Sequence, residues 1–330
     1  MIRVLSETAL ATVQDGGRVG ALRWGVGTAG AMDRMALACG NLLLGNDEDA
    51  AGIEAQVFPF EVGFEAECAF AVTGADCAAM LDGAPLLPWS AGHARAGQVL
   101  RLGPPGGGRW RGARAYLCVA GGIAVPPVLG SRSTQLRGAF GGLDGRTLRR
   151  DDRLAAGSRP PDAHPPVGVG IVPPGVAMPL ERDGLPAVRV LPAAEYDLFT
   201  SASREAFWSE AWQVTPRSDR YGFRLSGPRL ELAAPTELRS HGIVPGVIQV
   251  PHGGQPIVQM CDAQPSGGYP KIGAVIEADL WRLGQSPLGG RVRFIETAWD
   301  DALAARDEAR AWLSEVRRLL DLHRAWSGAR

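Results

Sequence analysis

Glycine and proline set the first limit on this chain. Its 44 glycines and 25 prolines interrupt long regular elements, because glycine costs backbone entropy and proline removes a backbone donor. The segments between them are short. Residues 68–73, 115–120, 187–191, 246–250, 255–260, 272–276 and 291–295 read as strands. Short strands closed by Gly/Pro turns lead to barrels or sandwiches, so a mainly β fold is expected.

Three segments read as helices. Residues 31–44 place Met32, Met35, Ala36, Cys39, Leu42 and Leu43 at helical spacing, and Gly45-Asn46 stops them. Residues 195–210 carry Leu198, Ala202 and Phe207 on one face, and residues 297–325 trace a stripe through Leu303, Ala304, Trp312, Val316 and Leu319. A dense run of prolines over 156–188 reads as a semi-rigid connection. The expected organisation is therefore an N-terminal domain over 1–155, the connection over 156–188, and a C-terminal domain with a terminal helix over 189–330.

With 330 residues, 45% hydrophobic content and a formal charge of −1, the chain has the composition of a soluble globular protein. Near-neutral charge argues against nucleic-acid binding. No signal-peptide segment or membrane-length apolar run is present, so a cytoplasmic location is expected and no membrane partner. The five cysteines are scattered and form no Cys-x-x-Cys pair, which indicates neither a disulfide framework nor a zinc site.

Of 34 basic residues, one is a lysine, Lys271. No Gly-Lys pair exists for a Walker A loop, and the Pro270-Lys271 setting is unlike the hairpin of a biotin or lipoyl carrier. No covalently attached biotin is expected. The lysine also supplies what arginine cannot, a compact ammonium with a nucleophilic amine.

Polar residues gather beside glycines in four places. The first is Gln14–Arg18 with Gly25–Asp33, a loop opening a helix whose amides suit an anion; the plainer reading makes Asp33 a favourable first-turn charge. The second is Leu129–Thr134 with Phe140–Arg146, where Ser131, Arg132 and Thr134 suit a carboxylate or phosphate, or simply build a hydroxyl turn network. The third is Thr215–Leu225. Strand alternation from Arg220 would set Arg220, Gly222 and Arg224 on one face as a carboxylate clamp, against a solvated charged face. The fourth is 245–271, where Gln249 and Gln264 can donate to and accept from a lactam or urea, beside Asp262, Tyr269 and Lys271. His252 reads as a turn residue, and Cys261 as a buried thiol rather than a nucleophile.

In this order the clusters resemble the carboxyltransferase-type family that takes in the C subunit of bacterial ATP-dependent 5-oxoprolinase, allophanate hydrolase subunit 2, the Kip-type antagonist and the carboxyltransferase region of urea carboxylase. The stretches that carry the resemblance are Gly30-Ala31-Met32-Asp33, Leu129-Gly130-Ser131-Arg132-Ser133-Thr134, Ser218-Asp219-Arg220, Ile248-Gln249-Val250-Pro251 and Gly267-Gly268-Tyr269-Pro270-Lys271. The chain departs from the family's pattern at Ala29, at Tyr221 and Phe223, at Pro265-Ser266, and at Gln259, where an aliphatic residue is usual.

The resemblance implies two cyclophilin-like β-barrel units with few short helices and a C-terminal helix. It implies a heteromeric complex with a B-type (Kip inhibitor-like) sister subunit and a LamB/YcsF-type A subunit. Within it, ATP with Mg, held at or near a partner, would drive opening of 5-oxo-L-proline, a small cyclic amide, to L-glutamate. On that reading Lys271, Arg220 and Arg224 meet a carboxylate or phosphoryl group, and Asp219 moves a proton or holds an arginine. Gln249, Gln264 and Tyr269 orient the amide, with Ser131, Thr134 and Asp33 as further binding residues; no metal ligand is assigned. Two alternatives remain open: a Kip-type binding protein for a kinase inhibitor, and a carboxyltransferase component of a biotin-dependent urea-type carboxylase.

Overall fold

The computed structural model describes every residue except 8–9, 107–111, 159–167, 173–179 and 329–330. Prolines 160, 161, 165, 166, 173, 174 and 179 of the expected connection lie outside the described residues. By compactness the chain divides into two units. The first comprises Met1–Arg18, Ala29–Gly175 and Arg310–Arg330, and the second Val19–Thr28 and Val176–Ala309.

The first unit runs through β1 (Ile2–Val4), β2 (Ala11–Gln14), α1 (Arg34–Leu44), β3 (Gly52–Ala55), β4 (Phe60–Phe64), β5 (Cys68–Gly74), β6 (Met80–Leu81), β7 (Ala84–Pro85), β8 (Ser90–Ala94), β9 (Val99–Leu102), β10 (Ala115–Val119) and β11 (Arg153–Leu154). Two sheets form, in the orders β11-β1-β4-β9-β6-β7 and β2-β3-β10-β5-β8. Alternation decides what each strand buries: in β4, Phe60, Val62 and Phe64 point inward while Glu61 and Gly63 are half-buried. These residues join Phe70, Leu100, Leu102 and Leu117 in one core.

Helix α1 begins three residues later than the periodicity predicts. Ala29 and Gly30 take positive φ, and Asp33 caps the helix by accepting from the Ala36 N–H at 2.9 Å. Gly45, at φ +73°, ends it. At Gly40 the helix lies so close to β10 that an added Cβ would fall 2.8 Å from Cys118 Sγ.

The second unit carries β12 (Leu180–Arg182), β13 (Leu185–Pro192), α2 (Ser201–Ser209), β14 (Ala211–Val214), β15 (Gly222–Ser226), β16 (His241–Gly242), β17 (Val247–Gln249), β18 (Ile257–Gln259), β19 (Ser266–Gly267), β20 (Lys271–Val275), α3 (Leu280–Gly284), β21 (Arg291–Glu296) and the start of α4 (Trp299–Gly328). The order β13-β20-β17-β18-β15-β14-β21 returns to β13 through a parallel pairing of Ala187–Val190 with Arg293–Glu296. The result is a closed seven-strand barrel, which leaves no edge within the ring. Phe207, Trp212 and Phe294 pack together and are fully buried.

The mainly β class, the few helices and the C-terminal helix are thus as expected. All seven predicted strands occur, with small differences at their ends. Residues 180–188, read as connection, hold β12 and the start of β13. Residues 195–210 are a 3₁₀ turn (Tyr196–Leu198) followed by α2, because Thr200 caps a fresh helix by accepting from Ser203 N–H. The first unit is built differently from the second. Among the described residues no pairing of named strands joins its two sheets, which share a side-chain core and the isolated bridge Ile123–Ala156 between the segments that follow β10 and β11. No helix is long and apolar enough to cross a membrane among the described residues.

Burial pushes the Cys77 and Cys118 thiols up to about 12, and raises Cys39 well above the ordinary thiol range, with Asp33 adding to it. In the native protein at pH 8, a thiol reagent will therefore label the half-buried Cys68 and Cys261 and spare the other three, with all five reacting in denaturant.

Asp152 accepts from Arg146 at 2.7 and 2.9 Å and from Arg149 N–H at 2.7 Å. The Arg146 bond, then the backbone bond, hold its carboxyl below the usual range. A carboxyl depressed on folding stabilises above its unfolded pKa, about 3.9, and loses that contribution as pH falls through the folded value. Asp152→Asn will lower stability at pH 7 and flatten its decline below pH 4, measured by urea unfolding against pH.

Candidate functional site

The barrel wall of the second unit has two chemistries. Phe223, Ile248 and Val258 line the inside of the barrel wall and are fully buried. Their neighbours in sequence, Gly222, Gln249 and Gln259, therefore lie on the opposite face, where pairing with Gln249 also sets Lys271. Pairing sets them side by side across β20, β17, β18 and β15: Gln249 opposite Lys271, Gln249 opposite Ile257, and Gln259 opposite Gly222. The first of these partnerships depends on a register shift between Ile248 and Gln249.

This outer face is covered rather than solvated. β16 and β19 form a two-stranded ribbon with His241 opposite Gly267. A Cβ at Gly267 would fall 2.5 Å from Gln249 Nε2, so a side chain there would strike the amide. Lys271 is 6% exposed, Gln249 2% and Gln259 3%.

Lys271 Nζ lies 3.2 Å from Glu195 Oε1 and against His241 Nε2. His241 Nδ1 is 3.0 Å from the Arg239 carbonyl. A carbonyl only accepts, so Nδ1 carries the proton, and Nε2 of the neutral ring accepts from the lysine. Glu195 Oε1 is also 3.5 Å from His241 Nε2. The ammonium is thus held between a carboxylate and an imidazole.

Arg220 and Asp262 form a buried two-point pair at 3.2 and 3.1 Å. It is tied by the Asp262 N–H to the Arg220 carbonyl at 2.9 Å. The adjoining segment is fixed from another part of the unit: Thr28 Oγ1 donates to the Cys261 carbonyl at 3.2 Å, and a Cβ on Gly27 would fall 2.6 Å from the Ala263 carbonyl oxygen.

The residues singled out from sequence fare unequally. Lys271 and Gln249 are brought together. Arg220 and Arg224 do not form a clamp, because β15 starts only at Gly222; Arg220 is buried on Asp262, while Arg224 is exposed. Asp219 does not hold Arg220. It is exposed and accepts from the Tyr221 and Gly222 amides at 2.8 and 3.2 Å, making the turn into β15. Gln264 is exposed and accepts from the Tyr221 hydroxyl. Tyr269 is 43% exposed and meets His252 edge-on, with ring centroids 5.9 Å apart.

Ser131, Thr134 and Asp33 serve the first unit's own structure. The Ser131 hydroxyl donates to Asp15 at 2.7 Å and the Thr134 hydroxyl to the Val13 carbonyl at 3.0 Å. The helix start that suited an anion is already in use. Met32 N–H donates to Glu54 at 2.8 Å, and Asp33 N–H donates to the Tyr116 hydroxyl at 2.7 Å.

Glu195 and His241, the partners of Lys271, carry no signal of that role in the sequence. Glu195 is 76 residues away in sequence, and neither stands in a marked motif. Asp262 and Gln259 lay inside the fourth cluster, and alternation with the apolar Val258 would have put Gln259 on the face of Gln249.

The fold and this wall define a β-barrel module that presents oriented carboxamides beside a paired lysine. The chain belongs to the carboxyltransferase domain family, subdomains A and B, matched over residues 24–296. It is 42% identical over 316 residues to the C subunit of 5-oxoprolinase from Escherichia coli, covering 96% of this chain and 97% of that protein. It is 40% identical to the C subunit of 5-oxoprolinase from Haemophilus influenzae, covering 97% and 99%. The solved urea carboxylase of Kluyveromyces lactis superposes with a TM-score of 0.86 at 28% identity, over 96% of this chain but 29% of that one.

The two carboxylates near Arg220 make opposite predictions. Asp262→Ala removes the buried carboxylate paired with Arg220 and will cost about 3–5 kcal/mol in urea unfolding. Asp219→Ala removes only a turn contact and will cost about 1 kcal/mol.

Proposed function

We propose that this chain is the C subunit of an ATP-dependent 5-oxoprolinase, acting with sister subunits to open the cyclic amide of 5-oxo-L-proline to L-glutamate. The observation that carries this reading is likeness from end to end. The 5-oxoprolinase C subunits match almost their whole length, whereas the urea amidolyase of Saccharomyces cerevisiae contains a corresponding region as 17% of its length.

The wall supports it chemically. Lys271 suits the substrate's carboxylate, exchanging Glu195 for a ligand anion. Gln249 Nε2, a buried donor with no partner among the described residues, suits the amide oxygen, where negative charge grows as the ring carbon is attacked.

ATP with Mg fits this wall poorly. Lys271 and Arg220 are each already matched by one carboxylate, and no group of three metal-ligating side chains is gathered among the described residues. ATP hydrolysis is therefore assigned to the assembled complex, with a B-type sister and a LamB/YcsF-type subunit as the proposed partners.

Co-expression with those two subunits should give ATP hydrolysis that depends on 5-oxoproline. In that complex Lys271→Ala should lower kcat/KM about 10- to 100-fold, the loss expected for one charged hydrogen bond. Lys271→Arg should recover part of it, since the fork keeps the charge and loses the compact fit. Full activity of Lys271→Ala in an intact complex would sink the assignment of this residue.

The Kluyveromyces lactis superposition favours one second reading, a component that transfers a carboxyl group from carrier-borne biotin to urea. Urea-dependent carboxylation with a biotin carboxylase, and none of the first activity, would establish it instead.

A further inference from the structure

The wall holds an uncommon pair. Gln259 Nε2 donates to Gln249 Oε1 at 3.1 Å. That single bond leaves the Gln249 Nε2 donor and the Gln259 Oε1 acceptor without partners among the described residues, on side chains 2% and 3% exposed. Buried polar atoms are mostly satisfied, and a ligand that supplies both partners would meet the requirement of these two orphans.

The requirement does not depend on how the amide atoms are assigned. If both carboxamides are flipped, the bond runs the other way and again leaves one donor and one acceptor. If only one is flipped, two donors or two acceptors face each other and the bond is lost.

We propose that Gln259 is a specificity-determining residue. With Gln249 it forms a donor–acceptor edge that reads the C=O and N–H of a small cyclic amide or ureide, the ligand's carboxylate lying toward Lys271. The inference rests on the reading of this wall as the substrate site. A cyclic amide fits because its C=O and N–H are locked on the same side of the ring, the arrangement that one donor beside one acceptor requires. An ester of the same ring offers the C=O but no N–H, and sets a ring oxygen against the Gln259 acceptor. Lys271 stands across the strand pair from Gln249, which leaves a carboxylated ring within reach of both. The ribbon of β16 and β19 lies over Gln249 through Gly267, so it must lift for the ligand to enter.

The test compares 5-oxoproline with its lactone, in which ring oxygen replaces N–H, using the assembled complex for kinetics and inhibition. Calorimetric binding to the full chain extends the comparison to hydantoin and its ring-oxygen counterpart. The wild type should prefer the lactam by about 100-fold, because a site built around a hydrogen bond penalises the analogue that lacks it. Gln259→Leu should raise the lactam KM about tenfold, leave kcat within about threefold, and shrink the preference to about threefold or less. Gln259→Met, unbranched and of similar length, serves the same comparison if the leucine variant folds poorly.

An active complex whose variants keep the wild-type lactam preference overturns the proposal and leaves the oxoprolinase reading standing. A complex inert on 5-oxoproline, with a chain that binds hydantoin with a Gln259-dependent preference over its ring-oxygen counterpart, overturns that reading and supports the proposal. No Gln259-dependent preference for either pair overturns the proposal outright.

Discussion

The second unit depends on the parallel pairing between β13 and β21. Every other neighbour in the ring is antiparallel, and this one contact joins the ends of the sheet. Closure gives each strand an inside and an outside with no intermediate, and packing of Phe207, Trp212, Phe223 and Phe294 fixes which is which. Once the inside is settled, the outer positions of β17, β18 and β15 follow from a period of two, and the register shift opposite Gln249 brings Lys271 of β20 to the same face. The paired lysine and the two glutamines are placed by the barrel's hydrophobic interior more than by their own contacts.

Buried polarity is committed in some places and left open in others. In the first unit, Asp15 collects the hydroxyls of Ser131 and Ser133 and the amides of Gly17 and Arg132. Glu54 accepts from the Tyr116 hydroxyl and from the Met32 N–H just before α1. Both carboxylates are consumed in holding loops that glycines bend too sharply for a regular ladder. On the barrel wall of the second unit, Gln249 Nε2 and Gln259 Oε1 have no partner among the described residues, beside a lysine paired with Glu195. Incomplete satisfaction costs stability, and such atoms accumulate where a protein meets a ligand.

Much of the fold was legible because turn residues and apolar runs act locally. Strands 68–74 and 271–275 announce themselves between glycines and prolines. The site was legible only where its residues share one stretch, as Gln249 and Lys271 do. Arg220 and Arg224 misled because alternation was extended back through a turn that Asp219 builds. Ser131 and Thr134 look the same in sequence whether a hydroxyl serves a ligand or the backbone; only the location of Asp15 decides. Glu195 and His241 reach Lys271 through barrel closure and the ribbon, and no local pattern encodes that.

A wall with its core on one side and its chemistry on the other separates two kinds of inheritance. Residues facing inward answer to the fold, and their replacements are judged by volume. Residues facing outward answer to the ligand, and one can be exchanged without repacking the interior. Descendants of one barrel can thus keep the same architecture while diverging in what they recognise. Gln259, polar in this chain and set beside the side-chain-free Gly222, occupies a position where such divergence needs a single codon.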